Sequence, residues 1–256
     1  MAARVLEIWR YPVKSMQGER LAEGRLTELG LEADRHWALR DRRTGKLVSA
    51  KQDRNILFAS SRLAGEEVEI TMPDGRILTA ATPGVDAELS AWLGRDVTLE
   101  VAEPTTSGVY DLALDPVDEA SETVEYPTPD GSFLDAGAVH LLSNSSLRTM
   151  ATTAPTSNWD KRRFRPTLLI EVDGEAPYPE DEWVGSAVRV GETTLTVLMP
   201  TIRCGMPGRG QPGLEAEPDV VRVTKQAHNS LLGVYAMVDV EGVVREGDEI
   251  QLQPVG

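Results

Sequence analysis

Apolar and polar positions alternate along the chain in short runs. Val5-Leu6-Glu7-Ile8-Trp9 and Val68-Glu69-Ile70-Thr71 read as strands, and Pro73-Asp74-Gly75 turns the chain into Arg76-Ile77-Leu78-Thr79. Asp86 to Leu93 has helical spacing instead, with Leu89, Trp92 and Leu93 on one side and Gly94 as its stop. Val97 to Val101 alternates again. Farther on, Ser143 or Asn144 caps a helix running through Thr152, and the apolar run from Phe164 to Val172 suits a buried strand. Val188-Arg189-Val190, the turn Gly191-Glu192 and Thr194 to Leu198 predict a hairpin that delivers the chain to Cys204. Gly233 to Val240 and Glu249 to Leu252 add short β segments. Many short strands with glycine-marked turns predict a mainly β, barrel-type fold with a few short helices, not a βαβ fold.

Between the two strand-rich halves the composition changes. From Asp96 to Leu147 there is no lysine or arginine, while Glu103, Asp111, Asp115, Asp118, Glu119, Glu122, Glu125 and Asp130 gather between Pro104, Pro116, Pro127 and Pro129. This stretch reads as a solvated acidic connector, which divides the chain into residues 1–115 and 116–256. The whole chain of 256 residues carries 41 acidic and 26 basic side chains, a net charge of −15, which argues against binding to nucleic acid or to acidic membranes. No segment approaches the roughly 20 apolar residues of a membrane helix, and the start lacks a signal-peptide pattern. With one cysteine and hence no disulfide framework, the expected location is the cytoplasm.

That cysteine, Cys204, sits in Pro200-Thr201-Ile202-Arg203-Cys204-Gly205-Met206-Pro207-Gly208, between a strand-like run and a glycine- and proline-rich loop. A lone thiol is buried filler, a nucleophile or a single soft ligand to a metal. Arg203 beside it favours thiolate. Cations are scarce, so their gathering in Lys161-Arg162-Arg163-Phe164-Arg165 is informative. Arg163 and Arg165 flank Phe164, and one of them facing inward needs either a protein carboxylate or a bound phosphate. Lys14 and Ser15, ending Tyr11-Pro12-Val13-Lys14-Ser15, offer a charge and a hydroxyl to such an anion, or form an exposed turn. Arg35 can join them or pair with Asp34 at the surface.

Several classes lose support from absent motifs. The chain has no G-x-G-x-x-G opening a helix, P-loop, G-x-S-x-G, H-E-x-x-H or C-x-x-C. His36, His140 and His228 are too dispersed to motivate a zinc site and read as core or surface residues.

Taken in order, Tyr11-Pro12-Val13-Lys14-Ser15, Asp34-Arg35, Ser49-Ala50-Lys51-Gln52, Phe133-Leu134-Asp135, Phe164-Arg165-Pro166, Arg203-Cys204 and Gly247-Asp248 resemble the MOSC family. The first half resembles its N-terminal β-barrel domain and the second the MOSC domain proper, in the subgroup that includes the mitochondrial amidoxime-reducing component. The resemblance implies a molybdenum cofactor, a molybdopterin dithiolene holding oxo-molybdenum, with Cys204 as a further sulfur ligand. It also implies that Lys14, Ser15, Arg35 and Arg165 hold the cofactor's phosphate and pterin, and that Asp135, Thr167, Arg203 and Tyr235 line it. Two departures stand out. Thr167 replaces a frequent asparagine, and the loop from Gly205 to Gly213 lacks the threonine-rich, Asp-Pro-containing segment of the subgroup.

The expected function is reduction of small N-hydroxylated or N-oxide substrates at the molybdenum, with electrons from an external donor protein. The alternatives are a Cys204 persulfide carrier serving metal-sulfur centres and a non-catalytic cofactor-binding protein.

Overall fold

The alternating runs of the second half close into a barrel whose last staple comes from the other end of the chain. The computed structural model describes residues 2–113, 115 and 121–253. Around the barrel wall the strands run Leu168–Val172, Val139–Ser143, Leu231–Val240, Thr193–Ile202, Ala187–Val190, Glu249–Leu252 and Ala3–Arg10, and the last pairs back to the first. All these neighbours are antiparallel except Val139–Ser143 with Leu168–Val172. Period-2 alternation puts Val5, Leu141, Ile170, Leu195, Val197 and Val234 inside, where they are almost wholly buried. Closure leaves these seven strands no open edge within the ring.

Position along the chain and position in space disagree for the first strand. Ala3–Arg10 sets Val5 opposite Ile170 and Ala3 opposite Ile250, so it belongs to the barrel of the second half. In exchange Gly242–Arg245 pairs with Glu23–Thr27 of the first half. The expected division at 115 and 116 falls at Pro116, outside the described residues.

The first half is otherwise a set of short antiparallel sheets around one core. Trp37–Asp41 pairs with Val97–Val101, and Ser60–Ala64, Glu67–Thr71 and Ile77–Thr79 form a meander. Met16, Leu39, Ile56, Ile70, Leu89 and Val97 fill the space between them. Helix α1, Val85–Leu93, buries Leu89 and Leu93 and ends at Gly94, whose φ of 64° suits the left-handed turn that closes a helix. Helix α2, Asn144–Thr153, is capped by Ser143, whose Oγ accepts from the Ser146 N–H at 3.0 Å.

Three expectations need correction. Helix α3, Pro218–His228, was not anticipated: Val220, Val221, Val223 and Thr224 are β-branched, but Pro218 at its first position and Asn229 in the left-handed conformation mark its ends. The acidic connector is not simply a solvated loop. It contains a hairpin, Val109–Ala113 with Thr123–Pro127, that buries Tyr110 and ties Asp111 to Lys46 at 2.7 Å and to Gln52 at 3.0 Å. Asp118 and Glu119 lie outside the described residues. Finally, Arg163 and Arg165 do not alternate along a strand. Lys161–Arg163 is a 3-10 turn, Arg165 has a φ of 53°, and the strand begins only at Leu168.

Candidate functional site

Four backbone segments cross at the seam between the barrel and the first half. The Arg35 N–H donates to Tyr11 O at 2.9 Å and the Lys14 N–H to Trp37 O at 2.8 Å, stitching residues 11–15 to 35–37. Phe133 N–H donates to Arg35 O at 2.9 Å, bringing in the segment that carries Asp135. Thr167 N–H donates to His140 O, and Trp9 N–H to Thr167 O, which brings in Arg165. The crossing borders a cavity of about 720 Å³, within the range of small-molecule sites. Its lining includes Lys14, Ser15, Arg35, Asp135, Arg165, Thr167, Arg203, Cys204 and Tyr235, so the nine residues expected to hold or line a cofactor border one space.

Turning four chains into so small a volume requires unusual backbone. Ser15, Arg35 and Arg165 have φ values of 70°, 49° and 53°, a left-handed conformation that residues with a Cβ adopt rarely. Three such residues at one site, all polar and all facing the cavity, form a place where strain serves placement of donors.

The guanidinium groups of Arg35 and Arg165 stand over the ring of Tyr11, 4.5 and 4.1 Å from its centroid. The ring's negative face offsets part of their mutual repulsion. Tyr11 is itself held by its N–H, which donates to Asp34 Oδ1 at 2.7 Å. Asp34 also pairs with Arg35, but the pair is enclosed and not a surface ion pair. Arg165 donates from Nη1 to Met16 O at 2.6 Å, while its Nη2 is buried with no partner. Burial, with Arg35 next in effect, pulls the Arg165 guanidinium down to about 10. A buried cation with an idle donor beside a second cation is a site prepared for an anion.

Lys14 is buried, not an exposed turn residue. Its Nζ donates to Phe133 O at 2.7 Å, pairs with Asp135 and lies 4.6 Å from the centre of the Tyr110 ring. The Asp135 side chain is half open to the cavity while protein encloses the space around it. Burial works against its charge, but Lys14 and Lys51 outweigh it and hold the carboxyl at about 2. An acid held below its ordinary value of 3.8 adds stability that is complete above that value and lost as pH falls through about 2. Asp135→Asn should therefore melt lower than the parent at neutral pH and converge with it near pH 2. Parallel melting curves that stay separated down to that pH would show that the charge is not the cause.

Arg203 differs from Arg165 in being fully engaged. Nε donates to Leu232 O at 2.8 Å, Nη1 to Phe164 O at 3.1 Å, and Nη2 to Leu232 O and His140 Nε2. Burial first, then the Arg203 charge, keeps His140 well below its ordinary value, so the ring is neutral and can accept. Gly233, at φ 78°, lets this contact form: a Cβ there would lie 2.6 Å from both His140 Nε2 and Leu141 O. Arg203 is thus the fixed support immediately before Cys204. Thr167 Oγ1 accepts from the His140 N–H at 3.2 Å, so this hydroxyl also braces the barrel strand while facing the cavity.

Cys204 follows the end of Thr193–Ile202 and is half-buried. Among the described residues no set of three or more His, Cys, Asp or Glu side chains is placed to hold a metal ion. A metal at this thiol must bring most of its ligands with it. The loop beyond is fastened by Arg163, whose side chain is fully enclosed and donates to the carbonyls of Asn158 and Glu215 at 2.9 Å, Pro207 at 3.0 Å and Arg209 at 3.3 Å. Both cluster arginines are therefore inward, Arg163 for the loop and Arg165 for the cavity. Arg163→Ala should leave these carbonyls without their donor and cost about 3 kcal/mol or more. The expected readout is a lower urea midpoint with faster proteolysis between Gly205 and Leu214; unchanged cleavage there would remove the loop-fastening role.

Some of the site was not singled out by sequence reasoning. Tyr11 and Lys51 sit inside motifs that were noticed, but only their neighbours drew attention. His140 reads as core or surface in sequence and proves to be both buried and part of the lining. Tyr110 lies in the stretch taken for a connector.

The donor set fits a phosphate-bearing cofactor with a metal. Lys14, Ser15, Arg35 and the idle nitrogen of Arg165 suit the phosphate, and the Cys204 sulfur suits a soft metal held otherwise by sulfur.

Comparison with known proteins agrees with this reading at the level of family. The MOSC N-terminal beta barrel domain matches residues 2–103, and the MOSC domain matches residues 128–251. The human mitochondrial amidoxime-reducing component 1 is 22% identical, with 97% of this chain and 82% of that protein aligned. A molybdenum cofactor sulfurase from Drosophila grimshawi is also 22% identical over 98% of this chain, which corresponds to 33% of the sulfurase. The YuaD protein of Bacillus subtilis shares the fold, with a TM-score of 0.52 at 12% identity over 98% of this chain and 94% of that one. No helix among the described residues is long and apolar enough to cross a membrane. The chain belongs to the MOSC family, a MOSC N-terminal beta barrel domain followed by a MOSC domain.

Proposed function

We propose that this protein binds a molybdenum cofactor and reduces small N-hydroxylated or N-oxide compounds in the cytoplasm, drawing electrons from an external donor protein. The observation that carries the reading is the buried Arg165 Nη2 with no partner, set among Lys14, Ser15 and Arg35 in the cavity that also holds the Cys204 thiol. When bound, the cofactor supplies a two-electron centre that takes an oxygen atom from nitrogen. The net change for a hydroxylamine is R–NHOH plus two electrons and two protons to R–NH2 plus water.

The chain's residues supply the holding and the shielding. Lys14, Ser15, Arg35 and Arg165 bind the cofactor phosphate, and Cys204 ligates the metal as thiolate. Arg203, fixed by His140, Phe164 O and Leu232 O, keeps the thiol's approach constant, while Asp135, Thr167 and Tyr235 line the remaining wall. The relatives named as amidoxime-reducing components support the reaction, and those named as molybdenum cofactor sulfurases support the cofactor.

The test is elemental and pterin analysis of protein expressed in a host that makes the cofactor, followed by assays on hydroxylamines, amidoximes and N-oxides with a competent donor. About one molybdenum and one pterin per chain, with turnover, is the expected result. Both absent from well-folded protein, with a persulfide on Cys204 after treatment with a cysteine desulfurase, would replace it with sulfur transfer.

A further inference from the structure

The cavity has two chemically distinct parts. Most of its cations come from the seam, whereas the lining along the chain around Cys204 adds, beside Arg203 and Arg209, a run of apolar residues: Met199, Pro200 and Ile202 before it, Met206 and Pro207 after it. Met199 and Ile202 are also among the most exposed large apolar side chains, 45% and 63% open. Alternation along Thr193–Ile202 would send positions 199 and 202 to opposite faces. They line the same cavity because the pairing with Leu231–Val240, already shifted in register between Thr194 and Leu195 and between Val197 and Met199, shifts again between Pro200 and Ile202. Such irregularities re-aim side chains, and here they aim two apolar ones at the same opening.

The same cavity is lined by the hairpin Val109–Ala113 and Thr123–Pro127, which gives it Leu112 and the 41%-exposed Tyr126. Its lining carboxylate, Asp111, is already bound to Lys46 and Gln52. This hairpin therefore presents hydrocarbon with its charge neutralised.

We propose that Met199, Ile202, Leu112 and Tyr126 form a substrate subsite for an alkyl or aryl group, so that the preferred N–O compounds carry a hydrophobic substituent of several carbons. The inference rests on the reductase reading for the polar end of the substrate and on the register shifts for the other end. Open rims dewet only partly, so each methylene should gain about two- to fourfold in affinity, up to the value for full burial.

The experiment titrates cofactor-loaded protein, without an electron donor, with straight-chain amidoximes from acetamidoxime to octanamidoxime, read by calorimetry. The expected result is a dissociation constant falling about two- to fourfold per methylene, with the slope at least halved in Met199→Ser/Ile202→Ser. Both side chains are exposed, so the double variant should fold, and its melting curve checks that. A flat series in the parent protein overturns the subsite, as does a slope untouched by the substitutions. If, in separate turnover assays with an electron donor, the double variant changes only the concentration dependence on that donor, the rim is a docking surface and the proposal fails. Because binding is read without turnover, a chain-length slope with no reduction of any member refutes the reductase reading while the subsite stands. Reduction without a slope does the reverse.

Discussion

Cys204→Ser is expected to abolish reduction while leaving the fold and most of the bound pterin in place. The side chain is half-buried with no disulfide, and a hydroxyl occupies nearly the same volume, so melting should change little. In the proposed arrangement the phosphate is held elsewhere, by the cavity residues Lys14, Ser15, Arg35 and Arg165, so retention should survive. What is lost is the one thiol sulfur in the chain, and the loss should exceed the roughly 10- to 100-fold that removing a supporting partner costs. Electron paramagnetic resonance of the molybdenum is the decisive readout. A spectrum identical to that of the parent would mean that Cys204 is not a ligand, whatever the rate did.

Arg165→Ala has the second largest expected effect, and its sign differs between the loaded and empty protein. With the phosphate present, removing the guanidinium deletes at least one charge-assisted hydrogen bond, a loss of about 1.5–3 kcal/mol or roughly 10- to 100-fold in cofactor retention. With no cofactor, the same substitution removes a buried cation that stands beside Arg35 and has a nitrogen without a partner. The empty variant should then melt within about 1 kcal/mol of the parent, since the relief offsets the lost bond to Met16 O. Gel filtration followed by pterin fluorescence measures the first quantity and thermal melting the second. Full occupancy combined with a large drop in melting temperature would assign Arg165 to structure alone.

How much of this was legible before folding depends on the range of the interaction. The barrel strands were visible because alternation is local: Val188–Val190 and Thr194–Leu198 read as a hairpin from their own side-chain pattern. The ends of α1 were visible because Gly94 marks the stop in sequence. Helix α3 was missed because its apolar face is made of β-branched residues, whose local preference opposes the helix that packing against Leu142, Phe164 and Leu232 selects. Lys14, Ser15, Arg35, Arg165 and Cys204 could be named one by one, and resemblance to a family supplied their grouping. That His140 fixes Arg203, that Tyr11 carries two guanidinium groups, and that Arg163 ties down the loop are contacts across 24 to 154 residues. No local pattern encodes them.

The strand Ala3–Arg10 has a consequence for synthesis. It leaves the ribosome well before its barrel partners, Leu168–Val172 and Glu249–Leu252. The ring can therefore be sealed only after Glu249–Leu252 has emerged, and the early segment must wait unpaired on that side. A fragment starting after Asp130 would carry six of the seven strands, with Leu168–Val172 and Glu249–Leu252 left as raw edges prone to self-association. Adding a peptide of residues 1–27 in trans would offer both the missing stave and the partner of Gly242–Arg245, and so should restore a soluble monomer.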